Sequence, residues 1–292
     1  MIYEFALYPS FCSNWYELKF FLQVFGAEEG RLISDIPRKK WMIFARQEIN
    51  ASENGQLMKK RLKVGIEKLA RKAMYRRNYV PIVDSLQWID HAIAAHKDRP
   101  FRAILTDCYD GVEDCILRND HELIENCRWK IPFDNIVKRS AANMIEAICP
   151  MIDCSQVLTL IDRNFDPDKF RWRAFIIEIA IFLSKRNFSP SIKTINYHVG
   201  NKIAPDHMEL LCKKHFLTKI HPDMKLNFIL WPWDELHDRY VLTDVGGVKF
   251  GVGLDVWDGQ GSEYVEINRI SEKTRTKWWK ACKSKQITFS LG

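Results

Sequence analysis

Between Gln156 and Trp231 the hydropathy of the chain switches repeatedly between a strand-like and a helix-like period, and few architectures accommodate that alternation. Gln156-Val157-Leu158-Thr159-Leu160-Ile161 is an apolar run of buried-strand length. Asp162-Arg163-Asn164-Phe165-Asp166 follows, and Pro167 stands where a helix begins. Over Lys169 to Lys185, the residues Phe170, Phe175, Ile176, Ile179 and Leu183 form an apolar helical stripe. Ile192 to His198 reads as a second strand, Asp206 to Phe216 as a second helix and Leu226 to Trp231 as a third strand. That order implies an α/β sandwich around a central sheet, its first strands made parallel by right-handed crossovers.

The next segment carries the chemistry. Leu236 to Asp244 reads as a strand, so His237 and Arg239 share one face, with Asp244 closing the strand. Gly246-Gly247 predicts a tight turn into a second strand. Gly251 and Gly253 would let a ligand approach that strand closely. An imidazole beside a guanidinium suits an anion, a phosphate above all.

These residues resemble the phospholipase D superfamily signature, His-x-Lys, four residues, Asp, six residues, then Gly-Ser-x-Asn. The spacing is kept from His237 to Arg239, Asp244 and Gly251, while Arg239 replaces lysine, Val252 serine and Leu254 asparagine. His237-Asp238-Arg239 and Gly253-Leu254-Asp255 are also similar to the phospholipase D-like carboxyl-terminal domain that accompanies microtubule-interacting-and-trafficking domains. The order of strands and helices matches the family's half-domain.

The resemblance implies a phosphodiesterase, most naturally a nuclease, in which His237 attacks phosphorus, Arg239 grips the phosphoryl group and Asp244 supports the motif. It needs no metal and no cofactor, and relatives place it in antiviral defence or mobile elements. None of the other seven histidines (91, 96, 121, 198, 207, 215 and 221) has lysine or arginine two residues on. A second histidine would therefore come from a homodimer. Two alternatives stay open: a catalytically silent module that binds nucleic acid or a phosphorylated partner protein, and a reader of phosphoinositide membranes. A membrane is the less expected partner, since the chain carries no amphipathic anchor.

Ligands of open α/β sheets collect at the carboxyl ends of the strands. Asp162, Arg163, Arg171 and Arg173 follow the first strand there, and His198 ends the second. Arg171 and Arg173 either add positive charge to the cleft or are solvated on the helix's first turns. Trp231 and Trp233 flank the motif, as stacking platforms for a base or as packing.

The first half, residues 1–148, reads as a mostly helical domain, and residues 149–292 as the phospholipase D-like domain. Ser13-Asn14 looks like a cap before a stripe of Trp15, Leu18, Phe21, Leu22 and Phe25. Further helices are expected over Lys40 to Ile49, Ile82 to His96 and Asn135 to Cys149. Lys59 to Arg77 is the most basic stretch, with Leu62, Ile66, Leu69 and Ala73 as its inward stripe. Its Lys59, Lys60, Arg61, Lys63, Lys68, Arg71 and Lys72 are candidates to contact a nucleic-acid backbone, or form a solvated face paired with acids elsewhere. The net charge of +7 leans mildly toward an anionic partner. None of the eight cysteines forms a Cys-x-x-Cys pair, which favours reduced thiols over zinc or disulfides. With no signal-peptide pattern at the start and no bilayer-length apolar run, the expectation is a cytoplasmic protein.

Overall fold

The structure, a computed structural model, describes residues 1–79, 87–109, 115–120, 122–186 and 191–292. It divides into two compact units, residues 2–132 and residues 133–292, with Met1 grouped with the latter. No helix among the described residues is long and apolar enough to cross a membrane.

The first unit runs β1 (Tyr3–Leu7), α1 (Trp15–Val24), β2 (Arg31–Ser34), α2 (Trp41–Ala51), α3 (Gln56–Ala73), β3 (Met74–Tyr75), α4 (Trp88–Asp98), β4 (Ala103–Leu105) and β5 (Ile116–Leu117). Helix outweighs strand, as the sequence suggests. The strands nevertheless form one parallel sheet in the order β3-β2-β1-β4-β5, so the unit is α/β. Asn14 caps α1 by accepting from the backbone N–H of Tyr16 at 2.8 Å. Leu62, Ile66, Leu69 and Ala73 of α3 are all buried, which confirms its inward stripe. The expected helix from Ile82 is described only from Trp88, because residues 82–86 lie outside the described set.

The second unit opens with β6 (Asp134–Lys138) and α5 (Ala141–Asp153). The helix expected from Asn135 therefore begins later. Ile136 and Val137 are β-branched residues that extend, and Ser140 accepts from the Asn143 N–H to start the helix. Next come β7 (Leu158–Asp162), α6 (Phe170–Ser184), β8 (Thr194–Gly200), α7 (Pro205–Phe216) and β9 (Lys225–Trp231). Each overlaps its sequence-predicted counterpart. They are followed by β10 (Arg239–Thr243), β11 (Gly247–Phe250), β12 (Tyr264–Arg269), α8 (Glu272–Lys283) and β13 (Phe289–Leu291).

The second sheet has eight strands in the order β13-β9-β8-β7-β10-β11-β12-β6. β7, β8 and β9 are parallel, as expected from the crossovers, and the rest pair antiparallel. Because β6 completes this sheet beside β12, the division at 132/133 precedes the expected 148/149. One face packs Tyr197, Phe228 and Phe250 against Phe165, Phe175 and Phe216 from α6, α7 and the loop ahead of α6. The other packs Ile161, Ile229, Trp231, Tyr240 and Leu242 under Cys282 and Trp278 of α8. Helices thus cover both faces, and a ligand is left the strand ends.

Candidate functional site

The site grows from the end of β7. All five residues of that strand are buried, and Asp162, its last, is completely inaccessible. Asp162 Oδ1 accepts from the Asn164 N–H at 2.9 Å and Oδ2 from the Leu254 N–H at 2.7 Å. Phe165, buried against Tyr197 and Phe228, pins the loop that follows, so Arg163, Asp166 and Lys169 are presented at its surface. Gly200 ends β8 at a crowded point: a Cβ there would stand 2.7 Å from both the Arg163 carbonyl oxygen and the Trp233 ring.

β10 runs antiparallel to β7 with Tyr240 opposite Ile161, which carries Arg239 to the level of Asp162. The Arg239 Nε lies 3.9 Å from Asp162 Oδ1. On its other side Arg239 pairs with Phe250, so Gly251, one residue on, lines the same cavity as Arg239. The hairpin thus explains the sequence spacing from Arg239 to Gly251. Burial pushes the Asp162 carboxyl up to about 6. The hydrogen bonds from Leu254 and Asn164 and the charge of Arg239 hold that rise in check, while buried Asp255 adds to it.

Asp255 is the second buried carboxylate. Arg139, from the β6–α5 junction, pairs with its Oδ1, and Arg171 Nε lies 3.2 Å from its Oδ2. Gly253 makes room for this pair, since a Cβ there would collide with Asp255 Oδ1 and meet the Trp172 ring at 2.7 Å. Gly251 is less constrained, its nearest neighbour being a carbonyl oxygen at 3.5 Å.

These groups enclose a cavity of about 570 Å³ at the carboxyl end of the parallel strands. Arg139, Arg163, Lys169, Arg171, Lys202 and Arg239 line it, against the carboxylates of Asp166 and Asp255. Asp255 is spoken for by two arginines, and Lys169 Nζ lies 3.5 Å from Asp166. The Nε atoms of Arg163 and Arg239 are buried without a hydrogen-bond partner among the described residues. Such a cluster has the chemistry to receive a polyvalent anion.

Arg239, Gly251, Gly253 and Arg171 come together here, as the sequence suggests. Arg173 does not: its Nη1 donates to the carbonyls of Pro167 and Asp168 at 3.0 and 2.6 Å. Two positions apart on a helix are opposed faces, so only one of the two arginines enters. His237 is exposed just ahead of β10 rather than on the strand. Its Nδ1 sits 3.4 Å from Arg163 Nη1, and its carbonyl accepts from Arg239 Nη1 at 3.5 Å. Asp244 lies at the far end of β10, where its Oδ1 accepts from the N–H groups of Gln156 and Val157 and fixes the entry to β7. The turn itself is Asp244-Val245, with Thr243 N–H donating to the Gly246 carbonyl at 2.8 Å.

His198 faces a different space, a cavity of about 190 Å³ under α8 lined also by Thr159, Asn196 and Trp279. Burial pushes it down to about 4, and its Nδ1 accepts from Trp231 Nε1 at 2.8 Å. Trp231 is therefore packing. Trp233 has its ring under two cations, with Lys202 Nζ at 3.5 Å and the Arg163 guanidinium at 4.9 Å. On α3, Arg61 lies over Trp15, and Lys59, Lys72 and Arg71 donate to the backbone carbonyls of Asn50, Leu22 and Glu67. Lys60 and Lys68 project into solvent, and Lys63 is half-buried. His121 lies outside the described residues.

The sequence gives no pattern for Arg139, Lys202 or the buried role of Asp255, because each enters from a separate segment. For Asp162 a signal exists: a carboxylate directly after a buried parallel strand. No family model matches the sequence, and none of the curated proteins matches it. Among solved structures the chain is similar to TrmBL2, an archaeal chromatin protein whose structure shows a novel mode of DNA binding. Identity is 8%, with 53% of this chain and 52% of that chain covered and a TM-score of 0.27.

Proposed function

We propose that residues 133–292 are a phospholipase D-like unit whose cavity binds the phosphates of a nucleic acid. The supporting observation is the basic lining: after Asp255 and Asp166 have taken their partners, Arg163 and Lys202 are left to meet an anion, and Arg239 has only Asp162 at 3.9 Å beneath it. Arginine offers two parallel donors to a phosphate, and the enclosed setting strengthens each bond.

Cleavage through His237 is the second reading, favoured by the position of the imidazole against Arg163. In it an imidazole nitrogen bonds to phosphorus, the P–O bond to the leaving group breaks, and water then hydrolyses the phosphohistidine. Two features rank it below binding. An arginine can only donate, so the 3.4 Å contact engages the lone pair of Nδ1 rather than leaving it for phosphorus. Val252 and Leu254 stand where the family has serine and asparagine, and Leu254 is completely buried.

Fluorescence anisotropy with a labelled oligonucleotide in chelator tests both readings. Binding is expected, weakened about tenfold or more in Arg239→Ala, as for a lost charge-assisted hydrogen bond. The oligonucleotide is expected to remain intact. A shortened product that disappears in His237→Ala would promote the nuclease reading, and no binding at low salt would remove both.

A further inference from the structure

A second cavity, of about 320 Å³, adjoins the first, and Arg139 lines both. Its wall is unlike that of its neighbour. Ala141, Ala174, Val256 and Trp257 make it largely apolar, with Lys138 and Glu263 at its edge. Trp257 is 41% exposed, the one tryptophan among the large exposed apolar residues of the described chain. The others are packed or already lie under cations, Trp233 among them.

Trp257 is held in place from behind. Its backbone N–H donates to the Arg139 carbonyl at 2.7 Å, and the neighbouring Val256 N–H donates to the Arg171 carbonyl at 3.0 Å. Arg139 in turn donates from Nε to the Asp255 carbonyl at 3.0 Å. The loop that carries Gly251 and Gly253 into the basic cavity therefore carries an aromatic ring next door to it. The two are fastened to the same arginines.

We infer that Trp257 is a stacking platform for a nucleobase whose phosphate lies in the basic cavity, which makes the ligand single-stranded. A base inside a duplex has both faces covered, whereas an unpaired one offers a face to an aromatic ring. The inference rests on the phosphate-binding reading of the basic cavity.

The test compares three probes on the full chain: a short oligodeoxythymidine, an abasic deoxyribose-phosphate oligomer of equal length, and a duplex. The wild type is expected to bind oligodeoxythymidine about tenfold more tightly than the abasic strand. Trp257→Ala removes that preference while leaving abasic binding in place, and Trp257→Phe keeps part of it. Equal affinity of the wild type for the based and abasic strands overturns the platform but leaves the phosphate site standing. Preference for the duplex overturns it also. Failure to bind any probe overturns the basic-cavity reading and the platform with it.

Discussion

Asp162 ties the proposed anion site to pH. Its folded value of about 6 lies above the ordinary 3.8, so between those values the native state holds a proton that the unfolded chain has released. Stability contributed by this group is therefore present at the acid end and declines as pH rises through the window, by on the order of 3 kcal/mol. The same titration acts on the ligand. Below about 6 the carboxyl is neutral and Arg239 has its full charge for an anion. Oligonucleotide affinity is expected to rise on the order of tenfold between pH 7 and pH 5. Asp162→Asn should flatten that dependence and raise affinity at pH 7, measured in a His237→Gln background so that the imidazole adds nothing. The sequence marks Arg239 by its spacing, but the buried carboxylate beneath it becomes visible only once β10 is laid against β7.

Helical and strand periods decide which side chains serve the cavity. Arg171 and Arg173 look equivalent in sequence, yet α6 turns one toward Asp255 and the other toward its own preceding loop. Arg171→Ala should lower oligonucleotide affinity about tenfold, since it removes a charge and leaves Asp255 with Arg139 alone. Arg173→Ala should leave affinity within about twofold and register only as a small loss of thermal stability. From β7 to β11 the elements of the second unit were legible because most span several residues and change period at their ends. In contrast, β6 reads as helix, and β12, α8 and β13 are not read from the sequence at all. In the first unit β3 and β5 are two residues long and β4 three, too short to show alternation between long helices. There the helical signal masks the sheet.

Charge summed over the molecule frames the last measurements. The cavity gathers six cations against three carboxylates, counting Asp162 beneath Arg239 (6 − 3 = +3). A site of that charge acting alone predicts a single-strand binding slope of roughly −2 in log affinity against log salt. A steeper slope that shrinks in the Lys60→Ala, Lys63→Ala, Lys68→Ala triple variant would bring α3 into the interface, and an unchanged slope would assign those lysines to solvent. Composition alone could not make this distinction, since a charge of +7 does not say which face carries it.

The pairing of β6 with β12 also dictates where the protein can be cut. A fragment starting at 149 loses the outer strand, most of α5 and Arg139 together, so half of Asp255's charge partners go with it. It would bare the backbone of β12 as an adhesive edge, and size-exclusion chromatography should find it aggregated. A fragment starting at 133 keeps β6 as its native edge strand, and it is the smaller piece of this chain on which the oligonucleotide experiments are expected to work.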